Sequence, residues 1–554
     1  MHYSHLIWSF SKANLGRVVL TFLVSLTSQL LVILLPIYMA LSYNLLFDVK
    51  SHRAHLLGFI PKEWISTFEG YLTIFIIVLL LRGSIDFCER YLTAYLGEMH
   101  LAFLRNKIFS HQLQMTMPIY DQKGFSKYLL RYSGDLTNIQ AFFTKGIIRF
   151  GSDTILLVLT LWIFFTINTY LGVTLLVLSI MLAAIVYVMN LRLYTISVAR
   201  RNAKSGLLKF VTSRLQGIIT IKVFNRYVPE MKKYEKRVGN LLDLGKSYQL
   251  VTSAIGAVIP FGLYLTIGMV MWITMYLNNI SGSSVDPKTF FTALLLLITA
   301  MPVFRRCFRV SMVWRNGSIS YQKLTNILQL PKEQEGNKTK DDPKQGHIAV
   351  RNLSFTYEKQ KDPVIRHLNL DIPFGSITVI HGKSGIGKTT LLKLINGLYT
   401  GDEGDVLIGG QPINEIDLKV LRKKMTLVAD QCSLLGRTVF EAVSYSRKHQ
   451  HRRKALKILE TLGLSNSLHL DQCIGESSSN LSNGQRKLLM YARAFLTQKP
   501  ILLIDEPFDY LDHNAIQRIV HYLNRIRHRR TIVLFTNKSI PSCMAVDFNY
   551  ELVY

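Results

Sequence analysis

The run Gly382-Lys383-Ser384-Gly385-Ile386-Gly387-Lys388-Thr389-Thr390 leaves the chain around it one local fold. It follows the apolar run Ile377-Thr378-Val379-Ile380 and leads into Leu391-Leu392-Lys393-Leu394-Ile395, which reads strand, glycine loop, helix. The glycines let successive backbone N–H groups turn inward onto phosphates, and the helix N-terminus adds its dipole. Lys388 is placed to reach the β- and γ-phosphates, and the Thr389 hydroxyl to sit on Mg²⁺. Taken alone, such a short pattern also fits a structural glycine turn, so the rest of the chain has to decide.

The 554 residues leave room for two or more domains, and the N-terminal part is built very differently from the loop's surroundings. Apolar segments near Val18–Ala40, Tyr71–Leu81 with its amphipathic flanks, Ile155–Ile167, Leu171–Met189, Val251–Leu277 and Phe290–Phe304 suit bilayer spans of roughly twenty residues. Buried core helices of a soluble protein are the plainer alternative, but they rarely come in such a series with charge asymmetry. The break Ile167-Asn168-Thr169 allows only a tight outside turn between the third and fourth spans. The long polar stretches Arg82–Phe150 and Leu191–Leu250 carry most of the basic residues. These include Arg105, Lys107, Arg131, Arg200, Arg201, Lys204, Lys232, Lys233 and Arg237, whereas the opposite loops hold Lys50, Arg53, Lys62 and Lys288. By the positive-inside rule the long stretches, both termini and the C-terminal domain are cytoplasmic. The same bias, with anionic lipid, accounts for a net charge of +29 and a pI near 9.8 without nucleic acid as a partner. Cys88, Cys307, Cys432, Cys473 and Cys543 are scattered and lack CxxC spacing, so neither a disulfide framework nor a zinc site is expected. The polar start through Arg17 runs into an apolar stretch too long for a signal-peptide core, so no cleavable signal is expected.

Few prolines or glycines interrupt the long polar stretches, so the membrane helices are expected to extend into the cytoplasm. Pro118–Gly124 and the region Gly217–Phe224 break them, as plain turns or as places where a membrane domain presses on a cytoplasmic motor. After Pro302 come Arg305, Arg306 and Arg309, then Arg315. On a helix Arg309 shares a face with Arg305 and with Arg306. The plainer reading, which is preferred, puts them at the cytoplasmic headgroup level. The sharper one makes them a basic cavity mouth receiving an anionic substrate or lipid head group.

Beyond the charged run Pro331–Pro343 the motifs come in order. Leu481-Ser482-Asn483-Gly484-Gln485 opens a helix, Arg486–Leu496, with a hydroxyl and a glycine N–H suited to a γ-phosphate. Ile501-Leu502-Leu503-Ile504-Asp505-Glu506-Pro507 is an apolar strand ending in two carboxylates. The Asp can hold Mg²⁺ and the Glu can polarise an attacking water. The domain reading is a transmembrane domain with long helix extensions over 1–330, a linker over 331–345, and a cassette domain over 346–554. The fold class is an all-α six-helix transmembrane domain followed by an α/β P-loop NTPase domain.

Gly382–Thr390, Leu481–Gln485 and Ile501–Glu506 resemble the Walker A, signature and Walker B motifs of ATP-binding cassette proteins. With six spans ahead of them, nearly the whole chain resembles an ABC exporter half-transporter. Leu104–Phe109 through Tyr120-Asp121 and Gly134-Asp135-Leu136 are similar to that family's first cytoplasmic loop, and Gly217–Phe224 to its second coupling region. The resemblance implies that Tyr357 stacks on adenine. Gly382, Lys383, Ser384, Gly385, Ile386, Gly387, Lys388, Thr389 and Thr390 then cradle the phosphates. Thr389 and Asp505 would ligate Mg²⁺, and Glu506 would be catalytic. Ser482, Gly484 and Gln485 would serve ATP held by a second chain, and Asp512 the loop that couples the two sites. It further implies a homodimer or heterodimer in which two cassettes close over two ATPs, switching the membrane helices from inward- to outward-facing.

The sequence departs from that pattern at several points. The switch histidine falls on Asn537, whose amide donates a hydrogen bond but cannot carry imidazolium charge. The lid-loop glutamine aligns on Asp430, with Gln431 one place later, and the pair stays open. Asn483 stands for a glycine, and the chain ends at Tyr554 without the expected helical tail. The reading is therefore ATP-driven export of an unidentified, anionic or amphipathic substrate across a bacterial-type inner membrane, with hydrolysis slowed by Asn537. The alternative is an ATP-binding membrane module that regulates, or pairs as a heterodimer with, a partner chain. No peptidase domain ahead of the first span argues weakly against leader-cleaving peptide export.

Overall fold

In the computed structural model the described residues are 3–47, 68–123, 128, 132, 134–280, 287–333, 346–358, 360–445, 451–475 and 480–553. Lys50, Arg53, Lys62, Arg131 and most of the expected linker lie outside them. The chain divides into two compact units, Met1–Leu113 with Gly124–Leu330, and Gln114–Lys123 with Pro331–Tyr554.

The first unit is helical throughout its described elements. It begins with α1 (Tyr3–Ala13), α2 (Leu15–Phe47) and α3 (Phe68–Leu113); the short α4 (Met117–Lys123) belongs to the second unit. Then follow α5 (Gly134–Ala141), a π-helical segment Phe142–Arg149, α6 (Phe150–Ile167), α7 (Thr169–Gln216), α8 (Ile218–Val223), α9 (Tyr227–Ile280) and α10 (Pro287–Leu328). Among the described residues six stretches are long and apolar enough to cross a membrane, α5 through α6 counting as one. Lipid offers no partner for backbone N–H and C=O groups, so such runs fold as helices that satisfy their own. At 48 residues α7 is about 72 Å long, more than twice the roughly 30 Å hydrocarbon core, so it continues well into the cytoplasm. Asn168 turns the chain between α6 and α7: it is extended, with φ −161°, and its side chain accepts from the Tyr170 N–H at 2.9 Å. Leu156, Phe164, Leu171, Ile259, Leu263 and Leu296 form the inward core. Leu80, Val158, Trp162 and Phe261 stay more than half exposed, as lipid-facing residues should.

The arginines after Pro302 do not act as one group. The Nε and Nη2 atoms of Arg306 donate to the Asp153 carboxylate at 2.9 and 2.7 Å, tying α10 to α6. Arg306 is thus neither a plain headgroup cation nor a free member of a cavity mouth. Arg305 Nε is buried with no hydrogen-bond partner among the described residues, and Arg309 is exposed. Nearby, the Ser25 hydroxyl donates to Glu89 at 3.2 Å and lies 2.8 Å from that of Ser152. At the cytoplasmic end Glu230 accepts from Lys233 on its own helix and from Arg214, both at 2.7 Å, and the Arg214 bond clasps the end of α7 to the start of α9 around α8. Those two hydrogen bonds hold the Glu230 carboxyl down to about 2.

The second unit has two sheets. Its elements after α4 are β1 (Ile348–Phe355), β2 (Ile365–Ile372), β3 (Ile377–His381), α11 (Lys388–Ile395), β4 (Glu403–Ile408), β5 (Gln411–Pro412), α12 (Leu418–Lys424) and β6 (Met425–Val428). Then come α13 (Val439–Ser444), α14 (Arg452–Thr461), α15 (Asn483–Thr497), β7 (Ile501–Asp505), α16 (His513–Ile526), β8 (Thr531–Thr536) and β9 (Phe548–Glu551). One sheet is antiparallel in the order β2-β1-β4-β5; the other is parallel in the order β6-β7-β8-β3-β9. Ile501–Ile504 and Ile532–Phe535 are fully buried, as expected of parallel strands covered on both faces. The short α4 is held in this unit by side-chain bonds: Asp121 accepts from Lys393 Nζ at 2.9 Å and from the Tyr399 hydroxyl at 2.7 Å.

Candidate functional site

Ligands of open parallel sheets bind beyond the carboxyl ends of the strands. The register lines those ends up here. His381 pairs with Thr536 across β3 and β8, and Asp505 pairs with Phe535 across β7 and β8. The phosphate loop, Asp505-Glu506 and Asn537 therefore emerge side by side, with Asp430 and Gln431 just past the neighbouring β6.

Within the loop, Gly385 and Gly387 have φ of +87° and +110°, conformations that side chains rarely adopt. A Cβ on Gly387 would also meet the Val364 backbone oxygen at 3.2 Å. Lys388 is buried, and its Nζ donates to the Gly382 and Lys383 carbonyls at 2.8 and 3.1 Å while lying 3.9 Å from Glu506 Oε1. Ser384 and Ile386 complete the turn, the Ile386 N–H donating to the Lys383 carbonyl at 3.3 Å. The Thr390 hydroxyl is 3.0 Å from that of Tyr357, whose ring stands edge-on to Tyr399 with centroids 5.6 Å apart. A cavity of about 410 Å³ borders Tyr357 and Tyr399 and includes Asp121 and Gln122 of α4.

Thr389 Oγ1 donates to Asp505 Oδ2 at 3.2 Å. Burial, with the charges of Glu506 and Asp430 adding, raises the Asp505 carboxyl above its ordinary range against the pull of Thr389 and Lys487. A hydroxyl beside a half-buried, under-neutralised carboxylate is an oxygen donor pair that fits Mg²⁺. Glu506 sits at φ +45°, a strained conformation for a side-chain-bearing residue, with its N–H on the Phe535 carbonyl at 2.8 Å. Its Oε2 accepts from the Thr536 hydroxyl at 3.2 Å and from the Asn537 N–H at 3.4 Å. The backbone of Asn537 thus touches Glu506, while the residue itself is exposed.

Asp430 and Gln431 are both exposed, and Asp430 accepts from Lys487 Nζ at 3.1 Å. The helix opening at α15 is occupied with itself. Ser482 Oγ accepts from the Gln485 N–H at 3.1 Å and Gln485 Oε1 from the Ser482 N–H at 3.0 Å, a capping box. No hydrogen bond among the described residues joins Ser482, Gly484 or Gln485 to the phosphate loop. A side chain on Gly484 would strike the Tyr510 carbonyl at 2.8 Å. Asp512 caps α16, accepting from the Ala515 N–H at 2.8 Å. Lys487 escaped the sequence reading. It is 1 % exposed and also donates to the Asp505 carbonyl at 2.9 Å, joining α15 to β7. A lysine on an otherwise apolar helix face was the available signal.

Comparison with known proteins agrees with this architecture. Residues 18–303 match the ABC transporter transmembrane region and residues 365–509 the ABC transporter domain. The chain belongs to the ABC transporter family, as a half-transporter of the exporter type. It is 23 % identical over 469 residues to an ATP-dependent lipid A-core flippase of Pasteurella multocida, covering 84 % of this chain and 80 % of that one. It is 25 % identical over 470 residues to the flippase of that name from Escherichia coli K12, covering 83 % and 80 %. The protein is a multi-pass inner-membrane protein with a cytoplasmic cassette that binds ATP and couples its hydrolysis to export.

Proposed function

We propose that two copies of this chain form the working exporter and that its cargo is a lipid-like amphiphile with an anionic head group. The lipid class is supported by the lipid A-core flippases to which most of the chain is similar, and the anionic head group by Arg305, whose buried Nε has no hydrogen-bond partner among the described residues. The pairing is supported by the signature residues, which bond to one another and make no hydrogen bond to the phosphate loop of their own chain among the described residues, and so suit an ATP held by another.

The observation that carries the motor is the shared strand-end register of β7, β8 and β3. The N–H groups of Gly382–Thr390 and the Lys388 ammonium bind and orient the phosphates. Thr389 and Asp505 would hold Mg²⁺, which supplies charge neutralisation between the phosphates. Glu506, fixed by Thr536 and the Asn537 N–H, orients the attacking water and takes its proton at a carboxylate oxygen. The Asn537 amide stands as a neutral donor to the γ-phosphate, so turnover is slow. Asp430 is engaged by Lys487, which leaves Gln431 as the lid-loop residue free to face the nucleotide. Tyr357 stacks the adenine.

The test uses vesicles carrying fluorescently labelled phosphatidic acid or phosphatidylcholine, with labelled lipid reached by an outside quencher counted before and after ATP. ATP should move the anionic lipid faster than the zwitterionic one, and Glu506→Gln should abolish the difference. Equal movement with Glu506→Gln would end the reading.

A further inference from the structure

We propose that the cytoplasmic extension of the membrane unit holds a binding site for a phosphate-class anion, in a cleft between α5, α7, α9 and α10. The site is separate from the ATP machinery, and the inference stands whatever the cargo. The cleft has a volume of about 450 Å³, and its walls include Arg200, Arg201, Lys204, Lys323, Tyr248 and Asn316.

Arg201 gives the clearest sign. Its Nη2 donates to Asn316 Oδ1 at 3.0 Å, while its Nη1 is buried with no hydrogen-bond partner among the described residues. A buried guanidinium nitrogen left unused is costly, and such donors in folded proteins almost always have an acceptor. Arg200 lies over the Tyr248 ring, 4.7 Å from its centroid, which fixes the guanidinium plane at the cleft wall.

The charge balance points the same way. Arg200, Arg201, Lys204 and Lys323 line the cleft against Asp135 alone, and Asp135 already meets Lys323 at 3.7 Å and the Ser320 hydroxyl at 3.0 Å. Arg200 and Lys204 are one helical turn apart on α7, where like charges destabilise a helix. An anion in the cleft offsets both the repulsion and the orphaned donor. Two guanidinium forks and an ammonium suit a phosphate, which accepts several charge-assisted hydrogen bonds at once. Arg200 stands about 16 Å along α7 beyond Met189, where the apolar run ends. That is deeper than the headgroup layer of about 5–8 Å, so the phosphate belongs to a soluble compound or to a long lipid head group.

The full chain, in phosphatidylcholine nanodiscs with its ATP sites filled by a non-hydrolysable analogue, is titrated with inorganic phosphate by calorimetry. In parallel, retention of phosphatidylinositol 4-phosphate, whose inositol carries a phosphate outward from the headgroup layer, is counted from doped nanodiscs by native mass spectrometry. Saturable binding of phosphate alone identifies a soluble source, and of phosphatidylinositol 4-phosphate alone a lipid source; either supports the site. Arg201→Gln should weaken the binding probe about tenfold or more. Arg237→Gln, outside the cleft, should change it by less than about twofold, as expected of a screened surface charge. Asp135→Asn removes the one carboxylate and should tighten binding, an effect that a damaged fold cannot produce. The inference is overturned if neither probe saturates, if Arg237→Gln weakens binding as much as Arg201→Gln, or if Asp135→Asn fails to tighten it.

Discussion

Asp153→Asn removes the negative charge that pairs with Arg306 and one of its two acceptor oxygens, and leaves an uncompensated guanidinium inside the helical unit. The two hydrogen bonds are 2.9 and 2.7 Å long, and the Asp153 side chain is only 3 % exposed. Breaking a buried pair by removing one partner costs about 3–5 kcal/mol. Arg306 is 35 % exposed, so water recovers part of that, and a loss of about 2–3 kcal/mol is expected. Denaturant unfolding of the nanodisc-held protein, followed by tryptophan fluorescence, measures it. The double variant Asp153→Leu with Arg306→Met should regain most of the loss, because it leaves no charge unpaired. Arg309→Gln, at an exposed position, should stay within about 0.5 kcal/mol of the wild type. An Asp153→Asn midpoint equal to wild type would refute the reasoning, as would a double variant no more stable than the single one.

Other expectations follow from the cassette. Asn537→His should raise kcat about tenfold or more with little change in KM for ATP, since it restores a charged donor at the γ-phosphate; an unchanged kcat in an already fast enzyme would contradict this. Asp505→Asn should raise the Tm of the magnesium-free protein while abolishing hydrolysis. The raised Asp505 pKa means that its charged form weakens the fold progressively as pH climbs through the folded value, so the gain should shrink at low pH. Burial opposes ionisation of Asp121, but hydrogen bonds from Tyr399 and Lys393 hold its carboxyl below the ordinary 3.8. Its grip on α4 is therefore complete above that value and lost as pH falls through the folded one. Asp121→Asn should weaken that grip by about 1 kcal/mol, read as faster hydrogen exchange in Met117–Lys123.

Contiguous chemistry was the legible part. The spans are runs of one polarity, and the phosphate loop and the strand ending Asp505-Glu506 are unbroken motifs, so their elements and strand-end placement follow from local pattern. Even the turn at Asn168 was marked by a single polar break. Long-range polar pairs were not legible. Nothing near Arg306 in sequence names Asp153 as its partner, and its charge alone reads as a headgroup cation. Lys487 was marked only by its place on an otherwise apolar face of α15, and its partners Asp430 and Asp505 appear only once α15 packs on β7. The choice between Asp430 and Gln431 also depends on where that lysine points.

The central claim is that this chain by itself is an ATP-driven motor with Glu506 at its heart. It is tested most directly by ATP hydrolysis of the purified chain alone in lipid, with Glu506→Gln as the blank. Turnover clearly above the blank is predicted, slow but saturable in ATP. ATP binding with no turnover above the blank would contradict the account and assign catalysis to a partner chain.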